Sequence, residues 1–402
     1  MSAAPISQPD LLMQLSDDDF QAALLAGVSR TFALTIPQLP VGLFSAVANA
    51  YLLCRIVDTI EDEVSLSPRQ KHYFCEEFID VVRTGDNSEA FAVELAPLLS
   101  EQTIAAEHTL IHVLPRVIQI THSFAPAQID ALASCVATMA AGMPLFQDLN
   151  LRGGLATVAD LDKYCYYVAG CVGEMLTKLF CHYSPEIAEH EQELMRLAVS
   201  FGQGLQMTNI LKDIWDDAKR GVCWLPQEIF SELGYDLATL TPETDSTLFR
   251  TGLARLIAIA HGHLANALRY TQLLPSHEVG MRQFCLWALG MAVLTLKKIR
   301  QNLHFNRSEQ VKISRTSVKA TIVTSRLLGR HNSALTFVFN VASRGLTTPD
   351  WHYSTFLSSA DRFTGQCDDL SVAKSTLTSS ACVHDAIVHT EGTQSPAADS
   401  NL

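Results

Sequence analysis

Apolar residues recur with the period of an α-helix through residues 17–346, and no convincing run alternates with the two-residue period of a strand. A chain with this pattern buries its apolar residues by packing helix against helix, which predicts an all-α fold. No segment repeats at a fixed interval, so a solenoid is not expected. The predicted helical segments are residues 41–63, 69–83, 107–122, 126–146, 160–183, 190–217, 247–273 and 279–303.

The helical pattern predicts one domain over residues 17–348, preceded by a flexible leader over residues 1–16. From Pro349 onward the sequence is rich in Ser, Thr, Ala and Asp and loses its period. Such composition cannot bury enough apolar surface to fold, so residues 349–402 are predicted to form a disordered tail.

The chain carries 29 Lys and Arg residues against 42 Asp and Glu residues, a net charge of −13. A nucleic-acid partner is not expected, because such proteins need a basic surface to neutralise phosphates. The ten cysteines include no C-x-x-C pair. They are therefore interpreted as reduced core residues of a cytoplasmic protein rather than as a disulfide framework.

No segment of the sequence predicts a membrane-spanning helix. The N-terminal residues have neither the basic region nor the apolar core of a signal peptide. The most apolar late stretch, residues 284–296, has 13 residues, whereas about 20 are needed to span a bilayer. We therefore expect a cytoplasmic protein without a transmembrane helix, and a peripheral membrane contact for product release is left open.

Each of two clusters of acidic residues lies at the C-terminal end of a long apolar stretch that is predicted to be helical. Their spacing of i, i+3 and i+4 puts each cluster on one helix face, where like charges destabilise a helix by roughly 0.2–0.5 kcal/mol per pair. The C-terminal end of a helix also disfavours negative charge. Mg²⁺ would remove both penalties, since it binds carboxylates together with phosphate oxygens. The cluster residues are Asp58, Glu61 and Asp62, and Asp213, Asp216 and Asp217.

The alternative interpretation of each cluster is a solvated helix end whose acids pair with Arg55, Lys212 or Lys219. Two clusters of matching spacing on apolar helices favour the metal site over this alternative. A protein with a net charge of −13 also has few means of holding a polyanion besides metal ions and local cations.

Both cluster-bearing helices also carry a stripe of polar residues. Within an apolar helix such residues must be hydrogen-bonded or face water. The stripes indicate either an interhelical hydrogen-bond network or a pocket with phosphate oxygens at its mouth, which is the favoured interpretation. The stripe residues are Gln203, Gln206, Asn209, Asp213 and Asp217 on one helix, and Ser45, Asn49, Arg55, Asp58 and Asp62 on the other.

A third segment, residues 164–174, places Gly170 and Gly173 inside a predicted helix. Each glycine costs a helix about 1 kcal/mol relative to Ala, so the pair indicates either close approach of another helix or room for a ligand. The Tyr164 hydroxyl could transfer a proton and its ring could stabilise a cation, although an isolated Tyr is more often structural.

Taken together, these motifs resemble those of the squalene/phytoene synthase family, the trans-head-to-head prenyl synthases. The matches follow one another in order and span most of the chain before the tail. The matching motifs are Ser29-Arg30-Thr31-Phe32, Tyr51-x-x-x-Arg55-x-x-Asp58-Thr59-Ile60-Glu61-Asp62, Asp162-Lys163-Tyr164-Cys165-Tyr166-Tyr167-Val168-Ala169-Gly170-x-x-Gly173 and Gln206-x-x-Asn209-Ile210-Leu211-Lys212-Asp213-x-x-x-Asp217.

The resemblance implies the isoprenoid synthase fold, a single all-α domain around a central apolar cavity, with Mg²⁺ bound by the two acidic clusters. It implies two prenyl diphosphate substrates: one ionises, and the other captures the allylic cation to give a cyclopropylcarbinyl diphosphate. By the same resemblance the catalytic residues are Tyr164 and the metal-binding Asp58, Asp62, Asp213 and Asp217. The residues implied in substrate binding are Ser29, Arg30, Phe32, Tyr51, Arg55, Gln206, Asn209, Lys212 and Arg220.

Further details resemble the squalene-forming branch of the family more closely than the phytoene-forming branch. This implies farnesyl diphosphate as the substrate and NADPH as the reductant that converts the intermediate to squalene. The residues implied in NADPH binding are Phe284, Lys312 and Arg315; Lys312 matches the branch, but Ser314 stands where a second basic residue is expected and Arg315 follows one place on. The alternatives are a phytoene or dehydrosqualene synthase without net reduction and, outside enzymes, a helical interaction scaffold.

Overall fold

Helices form the regular structure of the chain, as the apolar period predicts. Among the residues that the computed structural model describes there is no β-strand, only an isolated bridge between Leu155 and Pro226. The predicted all-α fold class is confirmed. The described residues are 9–29, 31–147, 151–243 and 246–347.

The α-helices have clear bounds in the described chain, and most begin after a loop that contains Ser, Thr, Asn or Pro. They are α1 (Pro9–Leu12), α2 (Asp17–Val28), α3 (Phe32–Thr35), α4 (Val41–Asp62), α5 (Pro68–Thr84), α6 (Ser88–Leu95), α7 (Ala105–His112), α8 (Leu114–Thr121), α9 (Pro126–Gly142), α10 (Pro144–Gln147), α11 (Val158–Cys165), α12 (Cys171–Tyr183), α13 (Pro185–Ala188), α14 (Glu191–Lys219), α15 (Gln227–Ser231), α16 (Thr247–Leu273), α17 (Val279–Gln301), α18 (Arg315–Leu328) and α19 (Asn332–Ala342).

Two of the predicted domain boundaries fall near the edges of the described chain. In the predicted leader, α1 is helical and Leu12 is buried, with Arg116 of α8 donating a hydrogen bond to its carbonyl oxygen. The predicted tail over residues 349–402 lies outside the described residues, as does Arg30. The division into leader, domain and tail therefore stays a prediction.

Proline divides two of the predicted helices. The predicted segment 107–122 is two helices, α7 and α8, because Pro115 near the start of α8 has no N–H for the preceding turn. Pro144 separates α9 from α10 in the same way within the predicted segment 126–146. Where no proline interrupts the pattern, as in α16, the predicted and observed bounds agree.

The predicted helix over residues 160–183 changes its hydrogen bonding midway. It begins as α11, widens into a π-helical turn over Tyr166–Gly170 and continues as α12. Such π-turns often occur at functional sites because they redirect the side chains that follow. The remaining short elements are 3₁₀-helices, namely Ile36–Gln38, Ala96–Leu98, Leu151–Gly153, Leu237–Thr239 and Ser308–Val311.

The helix α14 lies at the centre of the packing. It packs most extensively against α16, and α12, α17 and the π-turn also lie against it. On the other side, α4 packs against α2, α9 and α12. Because α12 contacts both α4 and α14, it joins the two helices that end in the acidic clusters.

Two glycines allow the backbone of α14 to approach α12 and the π-turn closely. A Cβ atom at Gly173 would lie 2.3 Å from the carbonyl oxygen of Ala198. A Cβ atom at Gly202 would lie 2.2 Å from the carbonyl oxygen of Ala169. Neither position has room for a side chain, so close helix packing explains why α12 tolerates the cost of Gly173.

The first half of the polar stripe on α4 does not face a pocket. Ser45 Oγ donates to Gln21 Oε1 at 3.0 Å, and Asn49 Nδ2 donates to Thr121 Oγ1 at 2.6 Å. Gln21 Nε2 in turn donates to Asn49 Oδ1 at 3.2 Å. The pocket interpretation is therefore wrong for Ser45 and Asn49, which form an interhelical network between α2, α4 and α8.

Three helices in the described chain are long and apolar enough to cross a membrane when judged by length and composition alone. They are α4, the stretch Pro126–Phe146 that contains α9 and most of α10, and α17, and in each of them 61% of the 18 most apolar consecutive residues are buried inside the protein. The apolar stretch considered in the sequence is thus part of a longer helix, α17, of 23 residues. The absence of a transmembrane helix consequently stays a prediction.

Candidate active site

A cavity of about 270 Å³ lies between α3, α4, α12, α14 and α17. Most of its lining is apolar, and polar groups converge on one part of it, an arrangement typical of small-molecule sites. Representative apolar lining residues are Val47, Met139, Val172, Leu176, Phe180 and Phe201. The polar lining residues include Arg55, Asp58, Gln206 and Asn209, all from the motifs identified in the sequence.

The first acidic cluster reaches the cavity at Asp58. Arg55 Nη1 lies 3.7 Å from Asp58 Oδ2 and 3.7 Å from Glu107 Oε1 of α7, so two carboxylates share one guanidinium. Burial raises the pKa of Asp58 to about 6 although Arg55 opposes this, and the charges of Asp62 and Glu107 raise it further. Burial also raises the pKa of Glu107. The single positive charge of Arg55 therefore does not balance the acidic groups of Asp58, Asp62 and Glu107.

In the second cluster, Asp213 and Asp217 each have a basic partner. Lys212 Nζ lies 3.1 Å from Asp213 Oδ2, and Arg220 Nη2 donates to Asp217 Oδ1 at 2.5 Å. Burial nevertheless raises the pKa of Asp217, against the effect of Arg220 and with help from the neighbouring acids. Asp217 is thus a desolvated carboxylate, comparable with Asp58 in the first cluster.

The side chain of Asp216 has a different environment. It accepts hydrogen bonds from Ser308 Oγ at 2.6 Å and from Lys219 Nζ at 2.9 Å. These two bonds, with a smaller contribution from the charge of Lys312, lower the pKa of Asp216. Asp216 therefore differs from Asp217, in which burial outweighs the hydrogen bond from its basic partner.

Residues of both clusters lie near the same two side chains, Arg220 and Tyr164. Burial alone would lower the pKa of Arg220, but its hydrogen bond to Asp217 and the charges of Asp217 and Asp62 raise it. Burial raises the pKa of Tyr164 well above its ordinary value, and Glu61, Asp62 and Asp217 add to the effect. Since Asp62 ends α4 and Asp217 lies near the end of α14, both helix ends lie close to the same Tyr and Arg side chains.

Tyr164 is held by aromatic contacts beside these acids. Its ring stacks on Trp224 with the centroids 3.8 Å apart and an interplanar angle of 10°. Phe146 contacts it edge-on at 5.3 Å. The residue is buried, and its raised pKa keeps the hydroxyl protonated at neutral pH. Tyr164 therefore has a fixed orientation next to both acidic clusters.

The predicted substrate residues of the N-terminal motifs form one connected group. Ser29 Oγ accepts a hydrogen bond from the backbone N–H of Phe32 at 3.0 Å, at the start of α3. The rings of Phe32 and Tyr51 lie 5.1 Å apart, and both line the cavity. Arg55 Nη2 donates to the Tyr51 hydroxyl at 2.9 Å. The aromatic pair thus leads from the cavity to the guanidinium at its edge.

On α14 the predicted polar stripe divides into two groups. Gln206 and Asn209 line the cavity, and Lys212 Nζ donates to Asn209 Oδ1 at 3.4 Å. Gln203 is instead fully buried and donates to the carbonyl oxygen of Asp162 at 3.2 Å. The pocket interpretation therefore fits Gln206 and Asn209, and the hydrogen-bond alternative fits Gln203.

The structure does not bring the predicted NADPH residues together. Phe284 is buried, lines the apolar cavity and packs edge-on against Phe180. Lys312 is exposed and forms an ion pair of 3.0 Å with Glu309. Arg315 is the exposed first residue of α18. Their assignment to a nicotinamide site stays a prediction without geometric support.

The acidic residues fit Mg²⁺ that is shared with a substrate. No three His, Cys, Asp or Glu side chains in the described part of the chain lie close enough to hold a metal ion by themselves. Mg²⁺ commonly takes one or two carboxylates and completes its shell with water and phosphate oxygens. The i, i+4 pairs at the ends of α4 and α14 offer such carboxylates, and burial raises the pKa of Asp58 and Asp217 despite their basic partners.

Two residues of the site were not identified in the sequence. Glu107 reaches Arg55 from α7, and Trp224 reaches Tyr164 from the loop after α14. Neither belongs to a periodic motif, because folding brings each to the site from another segment. The only local sign is that Trp224 closely follows the second acidic cluster.

Comparison with known proteins agrees with these features. The sequence profile of the squalene/phytoene synthase family matches residues 25–317. The squalene synthase of Eremothecium gossypii is 32% identical over 312 residues, 75% of this chain and 66% of the relative. The squalene synthase of Saccharomyces cerevisiae is 31% identical over 319 residues, 76% of this chain and 66% of the relative. This chain therefore spans about 66% of the length of these relatives.

A solved structure shows the same fold. A ligand complex of TcSQS aligns with a TM-score of 0.66 and 23% identity, covering 86% of this chain and 98% of that chain. The likeness confirms the predicted isoprenoid synthase fold. From the profile match over most of the sequence, together with the motifs at the cavity, we conclude that this chain belongs to the squalene/phytoene synthase family.

Proposed function

We propose that this protein is a squalene synthase, a prenyltransferase that joins two farnesyl diphosphates through a cyclopropylcarbinyl diphosphate and reduces that intermediate to squalene with NADPH. The observation that carries the proposal is that residues of both acidic clusters lie near Tyr164 and Arg220, and that Asp58 of the first cluster lines an apolar cavity. The two similar squalene synthases support this choice of product. A helical scaffold would gain nothing from desolvated carboxylates beside a cavity.

The charged edge of the cavity would bind the diphosphate groups. Arg55 provides positive charge in the cavity lining, where Tyr51 orients it through their hydrogen bond, and Lys212 and Arg220 provide positive charge beside the second acidic cluster. Mg²⁺, when bound by the acids of the two clusters, supplies the charge neutralisation that lets pyrophosphate leave. The basic residues hold the departing anion away from the carbon skeleton.

The apolar wall would bind the prenyl chains and protect the cation. Side chains such as Val172, Leu176 and Phe180 exclude water, which would otherwise quench an allylic cation. Aromatic faces, such as that of Phe32, stabilise positive charge. The protonated Tyr164 hydroxyl beside both clusters can donate a hydrogen bond to the leaving diphosphate.

The residues predicted for the reduction step are not grouped around the cavity. Lys312 and Arg315 do not line the cavity in which Phe284 lies. This separation favours a second candidate, a dehydrosqualene synthase, which forms the same intermediate without net reduction. The presence or absence of a requirement for NADPH distinguishes the two enzymes.

Product analysis tests the proposal. We expect the purified chain with farnesyl diphosphate, Mg²⁺ and NADPH to form squalene, and to form no reduced product when NADPH is left out. Dehydrosqualene in both reactions would favour the second candidate. The absence of any C30 product would contradict both. Geranylgeranyl diphosphate, supplied in parallel, reports the preferred chain length.

Acid-to-amide variants test the metal-binding role. Asp58→Asn and Asp213→Asn should each lower turnover by at least about 100-fold, because charge stabilisation in the transition state is lost. Asp216→Asn is the matched control, since its carboxylate already accepts hydrogen bonds from both Ser308 and Lys219, and it should lose about tenfold or less. Equal losses in all three variants would argue against the distinction between these acids.

We place the protein in the cytoplasm, in peripheral contact with a membrane. The product is a hydrocarbon with negligible solubility in water, so the enzyme that makes it needs an apolar phase to receive it. Fractionation of cells into membrane and soluble pools before and after a high-salt wash tests this placement. A protein that stays with membranes after the wash would contradict a peripheral contact.

A further inference from the structure

The C-terminal part of the described chain has a charge opposite to that of the whole molecule. Between Val311 and Thr347 there is no Asp or Glu, although the chain as a whole has a net charge of −13. Concentrated positive charge on an acidic protein indicates a negatively charged partner. The basic residues of this segment are Lys312, Arg315, Lys319, Arg326, Arg330 and Arg344.

Four of these residues share one face of α18. Arg315, Lys319, Arg326 and Arg330 follow one another at helical spacing, the last just beyond the end of the helix, and all four are exposed. No salt bridge joins Lys319 or Arg330 to another residue of the described chain. Their charge is therefore available to a partner. We call this surface the α18 basic face.

Large apolar side chains flank the α18 basic face on one side. Val323 is 54% exposed and Leu327 is 72% exposed, and both share the helical spacing of Lys319. On the following helix, α19, Phe337 is 68% exposed. A surface that only holds phosphate has no need for such side chains, whereas an amphipathic helix at a lipid surface uses them.

An apolar cavity lies on the other side of α18. It has a volume of about 290 Å³ and is formed between α17, α18 and α19. Its walls include Leu289, Val293, Val338 and Phe339, together with the Thr321 and Thr324 side chains of α18. An acyl chain that entered between these helices would therefore meet hydrocarbon.

We propose that the α18 basic face is a docking surface for membranes that contain anionic lipids. Each Lys or Arg near such a surface contributes roughly fivefold to the binding constant. Val323 and Leu327 would enter the boundary between head groups and acyl chains. The acidic remainder of the protein is repelled by the same lipids, so the molecule would bind with α18 toward the bilayer. This inference rests on the peripheral membrane contact proposed above and assigns it to a surface, whereas it is independent of the proposed catalytic steps.

Vesicle sedimentation with the full-length protein tests the docking surface. We expect binding to phosphatidylcholine vesicles that contain roughly 30% phosphatidylserine, little binding to pure phosphatidylcholine, and loss of binding at high salt. Lys319→Gln with Arg330→Gln should weaken binding about 25-fold. The matched control, Arg69→Gln with Arg83→Gln on α5, removes the same charge from exposed residues of another helix and should weaken binding less than about threefold.

The apolar residues distinguish a lipid from other polyanions. Val323→Ser with Leu327→Ser should weaken vesicle binding while leaving binding to heparin unchanged, because heparin has no apolar phase. Circular dichroism establishes that each variant is folded. Equal binding to neutral and anionic vesicles, or equal losses in the α18 and α5 variants, would overturn the proposal. Heparin binding without vesicle binding would identify another polyanionic partner and overturn it as well.

Discussion

At the scale of single residues, two neighbouring carboxylates at the end of α4 show how local contacts give acids opposite properties. Burial raises the pKa of Asp58 to about 6. Glu63 is only 1% exposed, yet it accepts hydrogen bonds from Thr103 Oγ1, Ser65 N and Ser100 N at 2.6, 2.7 and 2.9 Å. These bonds outweigh burial and lower its pKa to about 2. The charge of Asp58 thus has few hydrogen-bond donors to stabilise it at the place where a cation would bind. Glu63, in contrast, anchors the chain that follows α4 through its hydrogen bonds.

The low pKa of Glu63 predicts a pH-dependent contribution to stability. Glu63→Gln should lower the free energy of unfolding by roughly 2–3 kcal/mol at pH 7, because hydrogen bonds to a charged acceptor are lost. The ordinary pKa is 4.5, so the stabilisation is complete above that value and is lost as the pH falls toward 2. Urea unfolding at pH 7 and pH 4 measures the difference between wild type and variant. The exposed Glu76→Gln variant is the control, and a difference independent of pH would contradict the assignment.

At the scale of elements, the sequence predicted what depends on local pattern. An uninterrupted apolar period predicted the bounds of α16. The i, i+4 spacing of Asp213 and Asp217 places both acids on one face of any helix that contains them. Long-range contacts could not be predicted in this way. Ser45 and Asn49 resemble a pocket stripe until α2 and α8 are seen to cover them. Similarly, Glu107 enters the site only because α7 packs against α4.

A buried arginine joins four elements at the C-terminal side of the fold. Arg282 of α17 is 1% exposed and donates to the carbonyl oxygens of Leu274, Gln272 and Gly329 and to Asn332 Oδ1. No carboxylate is among these partners. The guanidinium therefore acts as a multiple hydrogen-bond donor that ties the end of α16 to the junction of α18 and α19.

Replacing this arginine should loosen α18 and α19 before the rest of the molecule. Arg282→Lys keeps the charge but lacks the planar fork of donors, so we expect a loss of roughly 2–4 kcal/mol in the free energy of unfolding. Hydrogen exchange should accelerate first in α18 and α19. Arg255→Lys, at an exposed ion pair with Glu232, is the control and should cost less than about 1 kcal/mol. Uniform acceleration across all helices would contradict this local role.

At the scale of the whole molecule, the arrangement of charge that favours ligand binding lowers the stability of the ligand-free fold. The ends of α4 and α14 bring negative charge together around Tyr164 and Arg220, far apart in sequence but adjacent in the fold. In the absence of a cation this arrangement is unfavourable, since like charges repel across a desolvated space. A ligand that neutralises both helix ends should therefore stabilise the fold by linking its two halves.

The same acids destabilise the ligand-free protein and bind the ligand, so a variant that removes one of them should gain stability and lose its response to the ligand. Mg²⁺ with inorganic pyrophosphate should stabilise the protein by about 2.7 kcal/mol at a hundredfold excess over Kd, and pyrophosphate with a chelator should not. The folded-state pKa of Asp58 is about 6 against an ordinary 3.8, so the relative stability present below 3.8 is lost as the pH rises through 6. Asp58→Asn should therefore be more stable than wild type at pH 8 by roughly 1–3 kcal/mol and respond weakly to the ligand pair.

Asp216→Asn, at an acid already bonded to Ser308 and Lys219, should keep the ligand response without gaining stability. Urea unfolding of wild type, Asp58→Asn and Asp216→Asn at pH 8, with and without Mg²⁺ and pyrophosphate, measures the stability and the ligand response of each protein. If Asp58→Asn were less stable than wild type, its carboxylate would be a structural group like Glu63. If pyrophosphate stabilised wild type equally without Mg²⁺, then Arg55, Lys212 and Arg220 would bind the anion alone, and the two acidic clusters would have no cation to share.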